Sequence, residues 1–221
     1  MTDGLINING DSVQTLDLII TLTIMSLVPS ILMLTTSFAR IIIVLSILKN
    51  ALGLQNTPPN MVLVGVALFL TLFIMDPVIS DINDTAYEPY KNGQITQTEA
   101  IDRASVPMKE FMLKQTKSET LAMFLDFSGE ELPDKESNYV DLPMTVIIPS
   151  FITCELSRAF LMGFLIYLPF LIIDIVVAST LMSMGMMMLP PSMISMPFKI
   201  LLFVVADGWT NIFSSFMSGF Y

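Results

Sequence analysis

The sequence predicts an all-α membrane protein. Four long, partly broken apolar helical segments form helical hairpins, and a small helical insertion lies outside the bilayer. Three observations predict this. Of 221 residues, 53% are hydrophobic, and the mean hydropathy is +0.72. Only 14% are charged, against about 25% in an ordinary soluble domain. The apolar residues gather into blocks at about 16–48, 61–79, 144–189 and 193–217. At this length a single domain, 1–221, is expected.

The N-terminal MTDGLINING has no positive charge ahead of the first apolar run. A cleavable signal peptide is therefore not expected. The first block holds 33 residues, about 50 Å of helix, too long to cross once without a break. Pro29 is the expected break point. The second block has the roughly 20 residues that one crossing needs. The third is again overlong, with Pro149 and Pro169 as candidate breaks. The fourth fits one crossing. Broken helices at membrane depth are tolerated only where protein or a cavity surrounds them, so the chain reads as built for an assembly.

The polar stretch 80–142 holds thirteen acids against six bases. Its first part, with Asn83, Pro89 and Gly93, reads as loop. Thr96 with Glu99 reads as a capping box opening a helix. Pro107 suits the first turn of a second helix, and Ser118 the cap of a third. A loose acidic loop is expected from Gly129 to Asp141. Arg40 and Lys49 border the connection between the first two blocks, which places it on the cytoplasmic side. The acidic insertion and both termini then lie outside, and the second Pro-Pro bend inside.

Composition excludes several functions. A formal net charge of −10 argues against nucleic acid as a partner. Histidine is absent and Cys154 is the sole cysteine, a small core residue by expectation. No internal disulfide, His/Cys metal site, or Ser-His or Cys-His catalytic pair can form. Neither GxxxxGK[ST] nor GxGxxG occurs. The expectation is no enzyme, no cofactor and no metal.

Charges inside apolar runs are expensive. Arg40, Glu155, Arg158, Asp174, Lys199 and Asp207 are such charges. Glu155 and Arg158 stand three apart, close enough to pair on one helix face. Acids and bases balance in this set, which favours pairing between helices or subunits. An ion relay through Asp174 and Asp207 is the alternative reading.

Two connections share a design: Gly53 followed by Pro58-Pro59, and Gly185 followed by Pro190-Pro191. Pro-Pro stops one helix and can open the next, and Gly permits the bend. The second connection also carries seven of the chain's eighteen methionines, between Met182 and Met196. Membrane filler is one reading. Soft ligation of Cu(I) by Met182, Met184 and Met186 is a second, disfavoured without His or Cys nearby. The third is an adaptable hydrophobic seal, because Met reshapes around varied partners and apolar constrictions block ions by dewetting.

The stretches LTTSFARIIIVLSILKNALGLQNTPPNMVLVGVALFLTLFIMDPV (34–78) and FLIYLPFLIIDIVVASTLMSMGMMMLPPSMISMPFKILLFVVADGW (164–209), with EPYKNG (88–93), closely resemble the FliP family of flagellar export-gate proteins. The resemblance implies a subunit of the flagellar type III secretion gate, in the bacterial inner membrane at the flagellar basal body. It implies five copies of this chain with FliQ and FliR, contacts with FlhB and FlhA, and unfolded flagellar subunits as cargo. It assigns the triplet Met186, Met187 and Met188 to a methionine gasket, and matches Glu155 and Lys199 to charged positions of the family's buried core. The virulence injectisome contains similar proteins, and an injectisome gate subunit is the runner-up. An ion or small-solute transporter is the third reading.

Overall fold

The computed structural model describes residues 5–8, 11–54, 57–129, 136–186 and 188–220. The chain starts with an antiparallel pair, β1 (Leu5–Ile8) and β2 (Asp11–Gln14), in the register Ile6 to Val13. All other regular structure among the described residues is helical: α1 (Thr15–Thr35), α2 (Phe38–Ala51), α3 (Asn60–Ile82), α4 (Glu88–Lys91), α5 (Gln97–Lys114), α6 (Ser118–Ser128), α7 (Met144–Ser183), α8 (Pro191–Val205) and α9 (Gly208–Ser218).

The first apolar block breaks, but not at Pro29, which lies inside a continuous α1. The break falls at Thr36-Ser37. There the Thr35 and Thr36 hydroxyls donate back to the carbonyls of Ile31 and Leu32 at 2.8 and 2.6 Å. Such hydroxyls compete with the backbone for helical partners. Beyond the break the chain turns inward. Ile41, Val44 and Leu45 of α2 are fully buried, and α2 packs most extensively on α7, where Ile147 and Phe151 are equally buried. Gly163 of α7 permits this approach: a Cβ there would lie 2.3 Å from Ile47 Cδ1.

Helix α7 runs 40 residues without interruption, about 60 Å. Pro149 and Pro169 sit within it and do not break it. The fourth block breaks instead, where α8 and α9 meet at 61°. Asp207 forms that corner in the left-handed region, φ 49°. Among the described residues, three helices are long and apolar enough to cross a membrane, and four spans result if the bent α8–α9 pair counts as one.

The insertion differs from its expected form. Residues 83–91 are helical, a π-turn over Asn83–Tyr87 leading into α4, so the second block continues as one helical run to Lys91. Pro107 lies inside a single α5, not at the start of a second helix. Ser118 is the first residue of α6, not its cap. The capping box at Thr96 and Glu99 is present. Helices α5 and α6 each pack on α7. Of the expected acidic loop, 136–141 form a short 3-10 helix, and 130–135 lie outside the described residues.

Candidate functional site

Most of the apolar-run charges gather into two nodes. In the first, Arg40 of α2 and Glu155 of α7 are 2% and 0% exposed. The Arg40 Nε donates to Glu155 Oε2 at 2.8 Å, and Nη2 donates to Oε1. A buried charge is tolerated only when paired and hydrogen-bonded, and this pair is bidentate. Arg40 also donates to the Gly219 carbonyl and to Gln115 Oε1, both at 3.1 Å, and stacks 3.7 Å above the Phe220 ring. Arg158 joins from the same helix face as Glu155. Its Nη1 donates to the Gln115 carbonyl at 2.6 Å, to Gln115 Oε1 at 3.0 Å and to Glu155 Oε1 at 3.3 Å. It remains half-buried. The node thus ties α2, the end of α5, α7 and the tail of α9 together.

The second node centres on Lys199 of α8. Its Nζ donates to Asp174 Oδ2 of α7 at 2.6 Å and to the Ala51 carbonyl at 2.9 Å. The Ser195 hydroxyl holds the other Asp174 oxygen at 2.6 Å. Lys199 and Ser195 are buried, while Asp174 keeps partial exposure.

Asp207 does not belong to either node, and the expectation that it is buried is incorrect. It is exposed, because it forms the corner between α8 and α9, and it accepts a bond from the Thr210 hydroxyl at 3.1 Å. Asp174 is held by Lys199 and Ser195, and Asp207 shares neither partner among the described residues. Sequence reasoning missed Gln115 and Ser195. Ser195 carried a usable signal, four residues before Lys199 and so on the same helix face. Gln115 carried none.

The two Pro-Pro connections end their first helices alike. The Gly53 N–H bonds the Asn50 carbonyl at 3.0 Å, and the Leu54 N–H the Lys49 carbonyl at 3.2 Å. At the second bend the Gly185 N–H bonds Met182, and the Met186 N–H bonds Leu181, both at 3.0 Å. Both glycines are left-handed, at φ 77° and 74°. This double bond pattern terminates a helix on a left-handed residue. Pro58 and Pro59 directly precede α3; Pro190 precedes α8 and Pro191 opens it. Since Lys199 reaches the end of α2, both bends sit at one end of the molecule. The second bend presents Met182, Met184, Met186 and Met188 outward, Met188 at 98% exposure. Met187 lies outside the described residues. Among the described residues no three His, Cys, Asp or Glu side chains gather to hold a metal ion.

Membrane-length helices, buried ion pairs that join them and an exposed apolar bend define an integral membrane protein of structural character. The chain belongs to the FliP family, whose model matches residues 21–216. It is 51% identical to the flagellar biosynthetic protein FliP of Bacillus subtilis over 94% of this chain and 92% of that protein. It is 50% identical to that of Pectobacterium carotovorum, over 95% of this chain and 79% of the relative. With that of Aquifex aeolicus the figures are 47%, 96% and 88%. The family is one of flagellar biosynthetic membrane proteins, not of enzymes.

Proposed function

We propose that the chain is one subunit of the flagellar type III export gate in the bacterial inner membrane. Several copies, five by family resemblance, assemble with FliQ and FliR around a pore for unfolded flagellar subunits. FlhB and FlhA adjoin it. The observation that carries this reading is the bend between α7 and α8. It ends a 40-residue helix, holds its shape by backbone bonds, and turns four described methionines outward. Met fills irregular gaps and adapts to different partners, and an apolar ring blocks ions by dewetting. Copies placed around one axis would close these side chains on each other at rest and part them for a passing chain. The flagellar names of the relatives favour the flagellar over the injectisome branch.

The test replaces Met186, Met187 and Met188 together by Ala and measures ion conductance of cells carrying the assembled gate. The triple variant is expected to leak. Conductance equal to wild type, at equal complex yield, refutes the gasket role. A purified chain that stays monomeric beside its FliQ and FliR partners refutes the pore itself.

A further inference from the structure

We propose that the methionines of the α7–α8 bend are a site of reversible sulfoxidation, and that their oxidation by a hypohalous acid opens the seal. The second half of this inference rests on the seal reading above. Five described methionines, Met182, Met184, Met186, Met188 and Met193, fall within twelve residues and are exposed by 44 to 98%. Met61 and Met123 are exposed as well, but each stands alone. The one thiol of the chain, Cys154, is 3% exposed and accepts the Lys117 backbone N–H at 3.4 Å. A thiol buried in this way is inert. Histidine is absent. Among the described residues, the outward thioethers of this bend are therefore the densest oxidisable group the chain offers.

In the reaction the sulfur lone pair takes up the oxygen of hypochlorous acid. An S–O bond forms as the O–Cl bond breaks. Sulfur gives up an electron pair, chlorine leaves with it as chloride, and the hydroxyl proton passes to water. The product is a polar, chiral sulfoxide. Its oxygen accepts hydrogen bonds from water, so an apolar constriction that excludes water loses the property that seals it. The fold tolerates the change. The bend is held by backbone bonds from Gly185 to Met182 and from Met186 to Leu181, and by the left-handed Gly185, none of which uses a thioether. Oxidation of a core methionine would disrupt packing, but Met75 and Met112 are 3% and 0% exposed and so are shielded. A sulfoxide reductase supplied with a dithiol reverses the step. The oxygen leaves as water, and the dithiol becomes a disulfide.

The test places the gate, assembled with its partner subunits, in proteoliposomes and treats it with hypochlorous acid. Ion leak and sulfoxide at each methionine are measured together, the second by peptide mass spectrometry. Wild type is expected to gain oxygen at the bend before Met75 and Met112. Its leak is expected to rise about tenfold, equivalent to about 1.4 kcal/mol off the barrier to water entry. Methionine sulfoxide reductases with dithiothreitol are expected to reverse both changes. Replacing Met182, Met184, Met186, Met187, Met188 and Met193 by Leu is expected to abolish the rise. Met186→Gln with Met188→Gln sets a permanent polar group at the bend and is expected to leak without oxidant. The proposal is overturned if the bend stays unoxidised, or if wild type carries bend sulfoxides without leaking. It is equally overturned if the Leu variant leaks as much after treatment, or if the Gln variant stays sealed. The seal reading is judged separately by the Ala variant of Met186, Met187 and Met188. A leak there, beside an oxidised wild type that does not respond, keeps the seal and removes only the sulfoxidation.

Discussion

Lys199 of α8 donates to the carbonyl of Ala51, the last residue of α2, at 2.9 Å. The final carbonyls of a helix lack partners within it and carry its negative end. One ammonium therefore satisfies the end of α2 and the Asp174 carboxylate of α7 together. Three helices meet at a single cation, beside the first Pro-Pro bend.

Lys199→Met keeps the aliphatic stem and deletes the donors. It leaves Asp174 Oδ2 and the Ala51 carbonyl without their donor, while Ser195 still holds Asp174 Oδ1, at a cost of about 1–3 kcal/mol. The yield of assembled complex is expected to fall, while conductance per assembled complex stays as in wild type. Normal yield with altered conductance would place Lys199 in the gate instead.

Glu155→Gln keeps the shape of the first node but strips Arg40 of its counter-charge. With Arg40 2% exposed, the expected loss is about 3–5 kcal/mol. Thermal unfolding of the purified complex measures it. A melting temperature unchanged from wild type would mean that Arg40 finds another anion.

Gly163→Ala puts a methyl group 2.3 Å from Ile47 Cδ1. Overpacking costs about 1–3 kcal/mol, here at the lower end because the nearest atom is a side-chain tip. Ile47→Val removes that atom. In a double-mutant cycle it is expected to restore most of the loss. Additive losses would show that the two helices do not meet at this point.

The Thr96 backbone N–H, then its hydroxyl, hold the Glu99 carboxyl below its ordinary value of 4.5. A lowered value in the folded state means the contribution is complete above 4.5 and fades as pH falls through the folded value. Hydrogen exchange in the first turn of α5 is expected to accelerate in that acid window. Glu99→Gln keeps the capping geometry and is expected to flatten the response. The same acid sensitivity in the variant would assign it to another group.

Much of this architecture was legible in the sequence, because apolar runs and Pro-Pro pairs report on burial and on helix ends directly. The breaks were less legible. Proline is a poor guide to the breaks at positions 29, 149 and 169, where each sits inside a continuous helix. The two real breaks depend on Thr35, Thr36 and Asp207, whose local hydrogen bonding is a weak signal in an apolar run. The opening β-pair carries little signal in the sequence, since β2, Asp-Ser-Val-Gln, holds a single apolar residue. For the charged residues, the sequence indicated that pairing was needed. It did not indicate that Arg40 would find Glu155 115 positions away, nor that Gln115 would bridge Arg40 and Arg158. Those partners follow from which helices pack, and periodicity does not encode that.

The two bends end their helices through identical backbone bonds, with four residues between glycine and Pro-Pro in each. In the first those residues are Leu, Gln, Asn and Thr; in the second, Met, Met, Met and Leu. The helix stop is thus indifferent to the linker that follows it. Leu54 of the first linker packs on the core, whereas Met186 and Met188 of the second face outward, so their chemistry is free to answer to whatever arrives from outside the chain.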